Sequence, residues 1–507
     1  MPAYDAINQA AGLIIPEIIL LATVCVMFLA APFLVSESGK APAGLRHRWG
    51  ILSLLALAAA GFAWLNAPIA DTGLGPFQAD RFVWFIRGLT IGFGMLLTMI
   101  LWDQIDDAHA AEAHACLLAI LCGVNFVALS NDLVGIFLGL ELVSIPTYIL
   151  LYLGRHDWMK QEATIKYFLL SIFSSALVLY GMSWIFGLAG TTNLTVIASK
   201  AAAGKVAIDH GMFRIALALI IGGLSFRLTA VPFHFYAPDV FQGVTPSSAA
   251  MLSFVPKVVG FAALLRLLPV AGGFAAFAEW MPSEVMKGLL TVIAILTMTV
   301  GNLLALRQTS LLRLLAYSSI AHAGYMLVGL AVGNSAVGTS GVASLLFYLA
   351  VYGIMTIGLF ALITAAAGPG RPLRAVSDLA GISRTQPAIA LMMAVCVFGL
   401  SGLPPTGGFL AKLNLFLAAW SEGSQQAVQG HTQVGYVLAI TLAVNAVIGA
   451  AYYLRLISVM YFEPSTTVHE SSHQNAAWTA GCLCAVTTLA LFVMPQWLWD
   501  AATLAIK

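Results

Sequence analysis

Fourteen apolar stretches, nearly all long enough to cross a bilayer as a helix, recur along this 507-residue chain. They fall near 11–34, 50–66, 82–102, 113–130, 133–153, 164–189, 212–230, 247–268, 286–306, 314–333, 341–366, 387–419, 434–461 and 476–498. A helix needs about 20 apolar residues to cross a bilayer. Where no water reaches the backbone, each crossing segment must close its own hydrogen bonds. The sequence therefore predicts an all-α polytopic membrane protein of about 14 transmembrane helices; the alternating strands of a membrane barrel are absent from it. Composition agrees, with 60% hydrophobic and 9% charged residues against roughly 45–50% and 25% in soluble domains. A soluble enzyme is excluded. The net charge of +1 gives no field to attract nucleic acid, so the lipid bilayer is the first partner the chain must have.

The six cysteines, Cys25, Cys116, Cys122, Cys396, Cys482 and Cys484, lie scattered in apolar runs without a Cys-x-x-Cys pair. They read as small apolar fillers and predict neither an iron–sulfur cluster nor a zinc site. The first stretch follows Asp5 without a cationic lead and is too long for a signal-peptide core, so it reads as a retained span. No connection is long enough to hold a soluble domain, which places any redox cofactor in other chains.

Lys and Arg set the expected orientation. With the first terminus outside, the inner connections carry Lys40, Arg46, Arg48, Arg155, Lys160, Lys166, Arg307, Arg313, Arg371, Arg374 and Arg384; the outer ones carry Arg81, Lys200, Lys205, Arg214 and Lys287. Both termini are expected on the outer side.

Two stretches are interrupted. Val231-Pro232-Phe233-His234-Phe235-Tyr236-Ala237-Pro238 places two prolines at the end of one apolar run. Ser401-Gly402-Leu403-Pro404-Pro405-Thr406-Gly407-Gly408 cuts a run too long for one span. Proline removes a backbone donor and breaks the helix. Each break is preceded at a similar distance by an aromatic pair, Tyr167-Phe168 and Phe347-Tyr348. Broken helices at corresponding places in two halves are the pattern of repeat-built transporters.

Charge inside the spans marks candidate function. Glu141, Arg227, Lys257 and Lys412 lie within or beside apolar runs, and a charge at mid-membrane costs about 2.5–3.5 kcal/mol. Such groups must be paired or hydrated, and they read as a relay of protons. Burial and a neighbouring cation favour the uncharged amine, which is what lets a lysine there exchange a proton. Guanidinium stays charged, so Arg227 reads as a fixed charge. His322, in Ser318-Ser319-Ile320-Ala321-His322, is either a relay member or a satisfied core histidine; His234 is either a titrating group or a partner for backbone freed by Pro238. Lys166 either pairs with Glu141 or snorkels to the surface. Glu17, Asp132 and Arg455 read as interfacial.

Four segments carry a family likeness: Leu138-Gly139-Leu140-Glu141-Leu142-Val143-Ser144-Ile145-Pro146, Glu162-Ala163-Thr164-Ile165-Lys166-Tyr167-Phe168-Leu169-Leu170, the first break extended through Asp239-Val240-Phe241-Gln242-Gly243, and Leu403-Pro404-Pro405-Thr406-Gly407-Gly408-Phe409-Leu410-Ala411-Lys412. From Asn131 to about Tyr461 the chain resembles the antiporter-like membrane subunits of respiratory complex I. The resemblance implies two inverted five-helix repeats, each with a broken helix. It implies the segments 1–112 (helices 1–3), 113–268 (first repeat), 286–461 (second repeat) and 476–507 (last helix). It also implies a charged axis matched here by Glu141, Lys257 and Lys412, with Arg227 standing where the family has lysine. Either water and a neighbouring group carry the proton past Arg227, or this copy is partly structural.

The function so implied is proton translocation in a bacterial inner membrane, by charge redistribution among Glu141, Lys166, Lys257 and Lys412. NADH, FMN, iron–sulfur clusters and quinone belong, on this reading, to partner subunits, and no cofactor or metal to this chain. The partners implied are antiporter-like siblings and small membrane subunits. Two other classes compete: a subunit of a multisubunit sodium/proton antiporter, and a scaffold that only holds its neighbours.

Overall fold

The computed structural model describes residues 12–35, 41–69, 75–153, 157–204, 211–268, 284–334, 339–367, 372–428, 433–464 and 474–506. The orientation votes of Lys40, Arg155, Lys205 and Arg371 lie outside the described residues.

In chain order the helices are α1 (Ile15–Leu34), α2 (Leu45–Asn66), α3 (Arg81–Leu101), α4 (Ala110–Leu129), α5 (Leu133–Tyr152), α6 (Trp158–Ala189), α7 (Leu194–Ala202), α8 (Gly211–Arg227), α9 (Ala237–Gly243), α10 (Pro246–Leu267), α11 (Glu284–Leu306), α12 (Leu311–Val332), α13 (Gly341–Ala366), α14 (Ile382–Thr385), α15 (Pro387–Ser401), α16 (Gly407–Val428), α17 (Val434–Phe462), α18 (Asn475–Val493) and α19 (Gln496–Leu504). Among the described residues, twelve are long and apolar enough to cross a membrane unbroken. The remaining two of the fourteen predicted stretches are those cut by proline, where α8 gives way to α9 and α15 to α16. Among the described residues no strand forms, and β-type pairing is confined to three isolated bridges.

Two of those bridges show the same construction twice. Asp132 pairs with Asn193, while Leu133 N–H donates to Thr192 O (2.9 Å) and Leu194 N–H to Asn131 O (3.0 Å). Ser310 pairs with Ala375, while Leu311 N–H donates to Arg374 O (2.8 Å) and Val376 N–H to Thr309 O (2.8 Å). In both, the first residue of a spanning helix is tied to a short helical segment that precedes a broken helix. The bonds satisfy donors that a helix start otherwise leaves open. Asp132, expected at an interface, caps α5 by accepting from Val134 N–H (2.8 Å).

By packing, the chain forms two compact units, residues 12–227 with 258–268, and residues 228–257 with 284–506. In the first, Glu17 lies in the first turn of α1, near a span end as its place in the sequence indicates. It is buried, and its carboxylate accepts two hydrogen bonds from Arg87 of α3, at 2.8 and 2.7 Å. The sequence placed Glu17 beside Pro16 at a helix start, and position alone does not disclose a partner seventy residues away. In the second unit Lys287, counted as a connection residue, lies in the first turn of α11 and is buried.

The second break depends on close backbone approach. A Cβ at Gly408 would stand 1.9 Å from the Gly399 carbonyl oxygen, so α15 and α16 meet here only because the residue is glycine. Gly408→Ala is expected to destabilise the chain by about 1–3 kcal/mol, the usual cost of overpacking. Thermal unfolding in detergent measures it, and an unchanged midpoint would show that the two helices separate freely.

Candidate functional site

Among the described residues, the candidate relay groups gather at two places, one in each unit. In the first unit Glu141 sits at the middle of α5 and Arg227 is the last residue of α8, where a cation suits the helix's negative end. Their closest approach is 3.8 Å, with Arg227 buried and Glu141 26% exposed. Two hydroxyls complete the arrangement. Ser175 Oγ donates to Glu141 Oε1 (2.5 Å), and Arg227 Nη2 donates to Ser144 Oγ (2.8 Å). Ser144 in turn donates to the Leu140 carbonyl (2.9 Å), so its oxygen is left to accept from the guanidinium. Arg227 Nε is buried without a partner among the described residues.

Of the two readings of Lys166, the structure provides an ion pair with Glu162 at 2.6 Å, one turn earlier on α6. Both side chains lie more than one third exposed, on a helix surface shared with exposed Ile165 and Leu169. Glu141, Lys166 and Arg227 thus belong to one unit, where Glu141 pairs with Arg227 and Lys166 with Glu162.

The second unit holds Lys257, His322 and Lys412, all buried. Lys257 follows Pro256 inside α10, where proline supplies no N–H to the turn before it. Its ammonium donates to Ser319 Oγ (2.5 Å) and the Ser253 carbonyl (3.0 Å), and lies 5.6 Å from the centre of the Tyr352 ring. Tyr352 O–H donates to the same Ser319 oxygen at 3.0 Å. The cation is therefore held by a hydroxyl, a carbonyl and a ring face, with no carboxylate bonded to it among the described residues.

Lys412 has a similar setting. Its ammonium donates to the carbonyls of Leu400 (3.0 Å) and Ser401 (2.8 Å), which the break leaves at the end of α15. The Tyr325 ring centre is 5.2 Å away. Gly402 makes room: its φ is +82°, and a Cβ there would lie 2.6 Å from Lys412 Cδ. The motif Ser401-Gly402-Leu403-Pro404-Pro405 thus offers carbonyls to an ammonium arriving from the next helix.

His322 takes a bonded place in this unit. Nδ1 meets Tyr348 O–H at 2.7 Å and Nε2 meets Tyr453 O–H at 3.0 Å. Tyr453 also bonds Ser318, and the imidazole lies 4.9 Å from the Tyr352 ring. A neutral imidazole bonded through both nitrogens can receive a proton at one and release it at the other. His234 lies in the turn after Pro232, with Nδ1 buried and unpartnered among the described residues. Pro238 occupies the first turn of α9, where a missing N–H costs nothing. The next residue, Asp239, binds Arg313 of α12 at 2.5 Å.

Sequence reasoning missed the hydroxyl groups. Ser319 and Tyr352 hold Lys257, and Tyr348 and Tyr453 hold His322. Tyr348 and Tyr352 stand one helical turn apart in the largely apolar α13, a spacing that places both on one face and was available as a signal. Among the described residues no group of three or more His, Cys, Asp or Glu could hold a metal ion.

The profile of the NADH:quinone oxidoreductase/Mrp antiporter transmembrane family matches residues 130–430. NADH-quinone oxidoreductase subunit N 1 of Solibacter usitatus is 36% identical, over 99% of each chain. The subunit N of Trichlorobacter lovleyi is 39% identical over 91% of this chain and 89% of its own length. A chain of respiratory complex I from Thermus thermophilus superposes with a TM-score of 0.76 at 28% identity, covering 95% of this chain and 99% of that one. With a family match over more than half its length and relatives alike from end to end, this chain belongs to the NADH:quinone oxidoreductase/Mrp antiporter membrane-subunit family, among its subunit N members.

Proposed function

We propose that the chain is a proton-translocating, non-redox subunit of an NADH-quinone oxidoreductase in a bacterial inner membrane. NADH, FMN, iron–sulfur clusters and quinone are held by the partner subunits, and this chain assembles with antiporter-like siblings and small membrane subunits. Both termini lie on the outer side on this reading, and residues 113–268 and 286–461 form the two inverted repeats. The observation that carries the proposal is the pair of buried ammonium groups, Lys257 and Lys412, each bonded to neutral oxygens. A lysine locked to a carboxylate is held in its charged form. One held by hydroxyl and carbonyl groups directs its N–H bonds at neutral acceptors, along which a proton can be handed on. His322, bonded through both nitrogens to tyrosine, serves as a relay between the Tyr348 and Tyr453 hydroxyls.

Glu141 and Arg227 act as a charge pair in which Arg227 supplies a fixed cation. In complex reconstituted into liposomes, Arg227→Lys is expected to keep the proton yield per NADH, because the charge remains, and Arg227→Gln to lower it. If Lys and Gln reduce the yield equally, Arg227 does more than supply charge. Proton uptake recorded with and without sodium tests the wider reading, which expects no sodium requirement.

A further inference from the structure

A second buried charge pair lies on the same helix as Lys412. Lys287 Nζ of α11 is 2.7 Å from Glu422 Oε1 of α16, with the side chains 7% and 5% exposed. Gln426, one turn on, donates from Nε2 to the same oxygen at 3.0 Å. Its own Oε1 accepts from Gly435 N–H at 3.0 Å, which fixes the amide's orientation. Taking two charges out of water costs several kcal/mol per ion, and apolar packing of equal volume often holds helices as well. A pair kept at such a place invites a role beyond joining α11 to α16.

Its position supplies one. Lys412, Leu415, Ala419, Glu422 and Gln426 form one buried face of α16. Glu422 lies ten residues beyond Lys412, about 15 Å along the axis. Lys287 is in the first turn of α11, so the pair stands between Lys412 and the membrane face where α11 starts. One turn deeper on α11 the Thr291 hydroxyl is buried without a partner among the described residues. A buried hydroxyl in that condition calls for water.

We propose that Glu422, positioned by Lys287 and Gln426, passes protons between Lys412 and that membrane face; the proposal rests on the reading of Lys412 as a proton carrier. In the outward step an N–H bond of the Lys412 ammonium breaks, water conveys the proton, and an O–H bond forms on the Glu422 carboxylate. That acid then releases the proton to water at the face, and the ion pair with Lys287 is restored.

The test uses the assembled complex in liposomes, with proton yield and NADH-quinone turnover both recorded. The double variant Lys287→Gln with Glu422→Gln keeps a hydrogen-bonded contact of similar volume that cannot take up a proton. It is expected to assemble and to lower coupled proton transport about a hundredfold, the lower end of acid–base effects, whereas Glu422→Asp recovers a larger share. Wild-type transport in the double variant overturns the proposal and leaves the pair as a clasp. Wild-type transport in Lys412→Met overturns the underlying relay instead, so the two failures are distinct. If the double variant does not assemble, a hydrophobic carbodiimide, which adds to protonated carboxyls, is applied to the wild-type complex during turnover. Label on Glu422 accompanied by loss of transport supports the proposal, and inhibition with no label there overturns it.

Discussion

Replacing Lys412 by methionine is expected to lower coupled proton transport by about a hundredfold or more, the scale on which a positioned acid–base group contributes. The thioether has nearly the length of the ammonium side chain and no proton to give. The space beside Gly402 stays filled, and the loss falls on the bonds to the Leu400 and Ser401 carbonyls. Leaving those acceptors without a donor costs about 1–3 kcal/mol, which a shift in thermal midpoint reads separately from transport. Full transport in the assembled variant would remove Lys412 from the path.

The second large effect concerns stability. Glu17→Leu leaves the Arg87 guanidinium buried without its carboxylate, since both side chains are at most 3% exposed and 2.7 Å apart. Breaking a buried pair from one side costs about 3–5 kcal/mol. The double variant Glu17→Leu with Arg87→Met is expected to recover most of that loss, because an apolar pair needs no partner charge. Arg87 also donates to the Leu13 carbonyl (2.6 Å), so recovery stops short of complete. Thermal unfolding in detergent compares the two, and equal destabilisation of single and double variants would contradict the account.

The sequence disclosed the spans because the bilayer imposes a length and a composition that twenty apolar residues satisfy on their own. It disclosed both breaks because Pro232 and Pro404 act locally. It disclosed Glu141, Arg227, Lys257 and Lys412 because charge is costly in lipid. It did not disclose what surrounds them. Ser319 and Tyr352 look like ordinary polar residues of apolar helices until α10, α12 and α13 are folded together. Glu17 with Arg87 and Lys287 with Glu422 lie near helix ends, where a charge reads as solvated, and only the tertiary contact shows each to be paired. The repeated backbone pattern at Asp132 with Asn193 and Ser310 with Ala375 had no sequence signal, because a bridge made by main-chain groups leaves the side chains free to differ.

Lys257 tests the central claim most directly, because it is fully buried and, among the described residues, its ammonium is bonded only to oxygens that carry no charge. In proteoliposomes holding the complete oxidoreductase with Lys257→Ala, protons moved per NADH oxidised are measured beside quinone reduction. The relay predicts that proton movement falls sharply. Undiminished proton movement together with undiminished quinone reduction would contradict it.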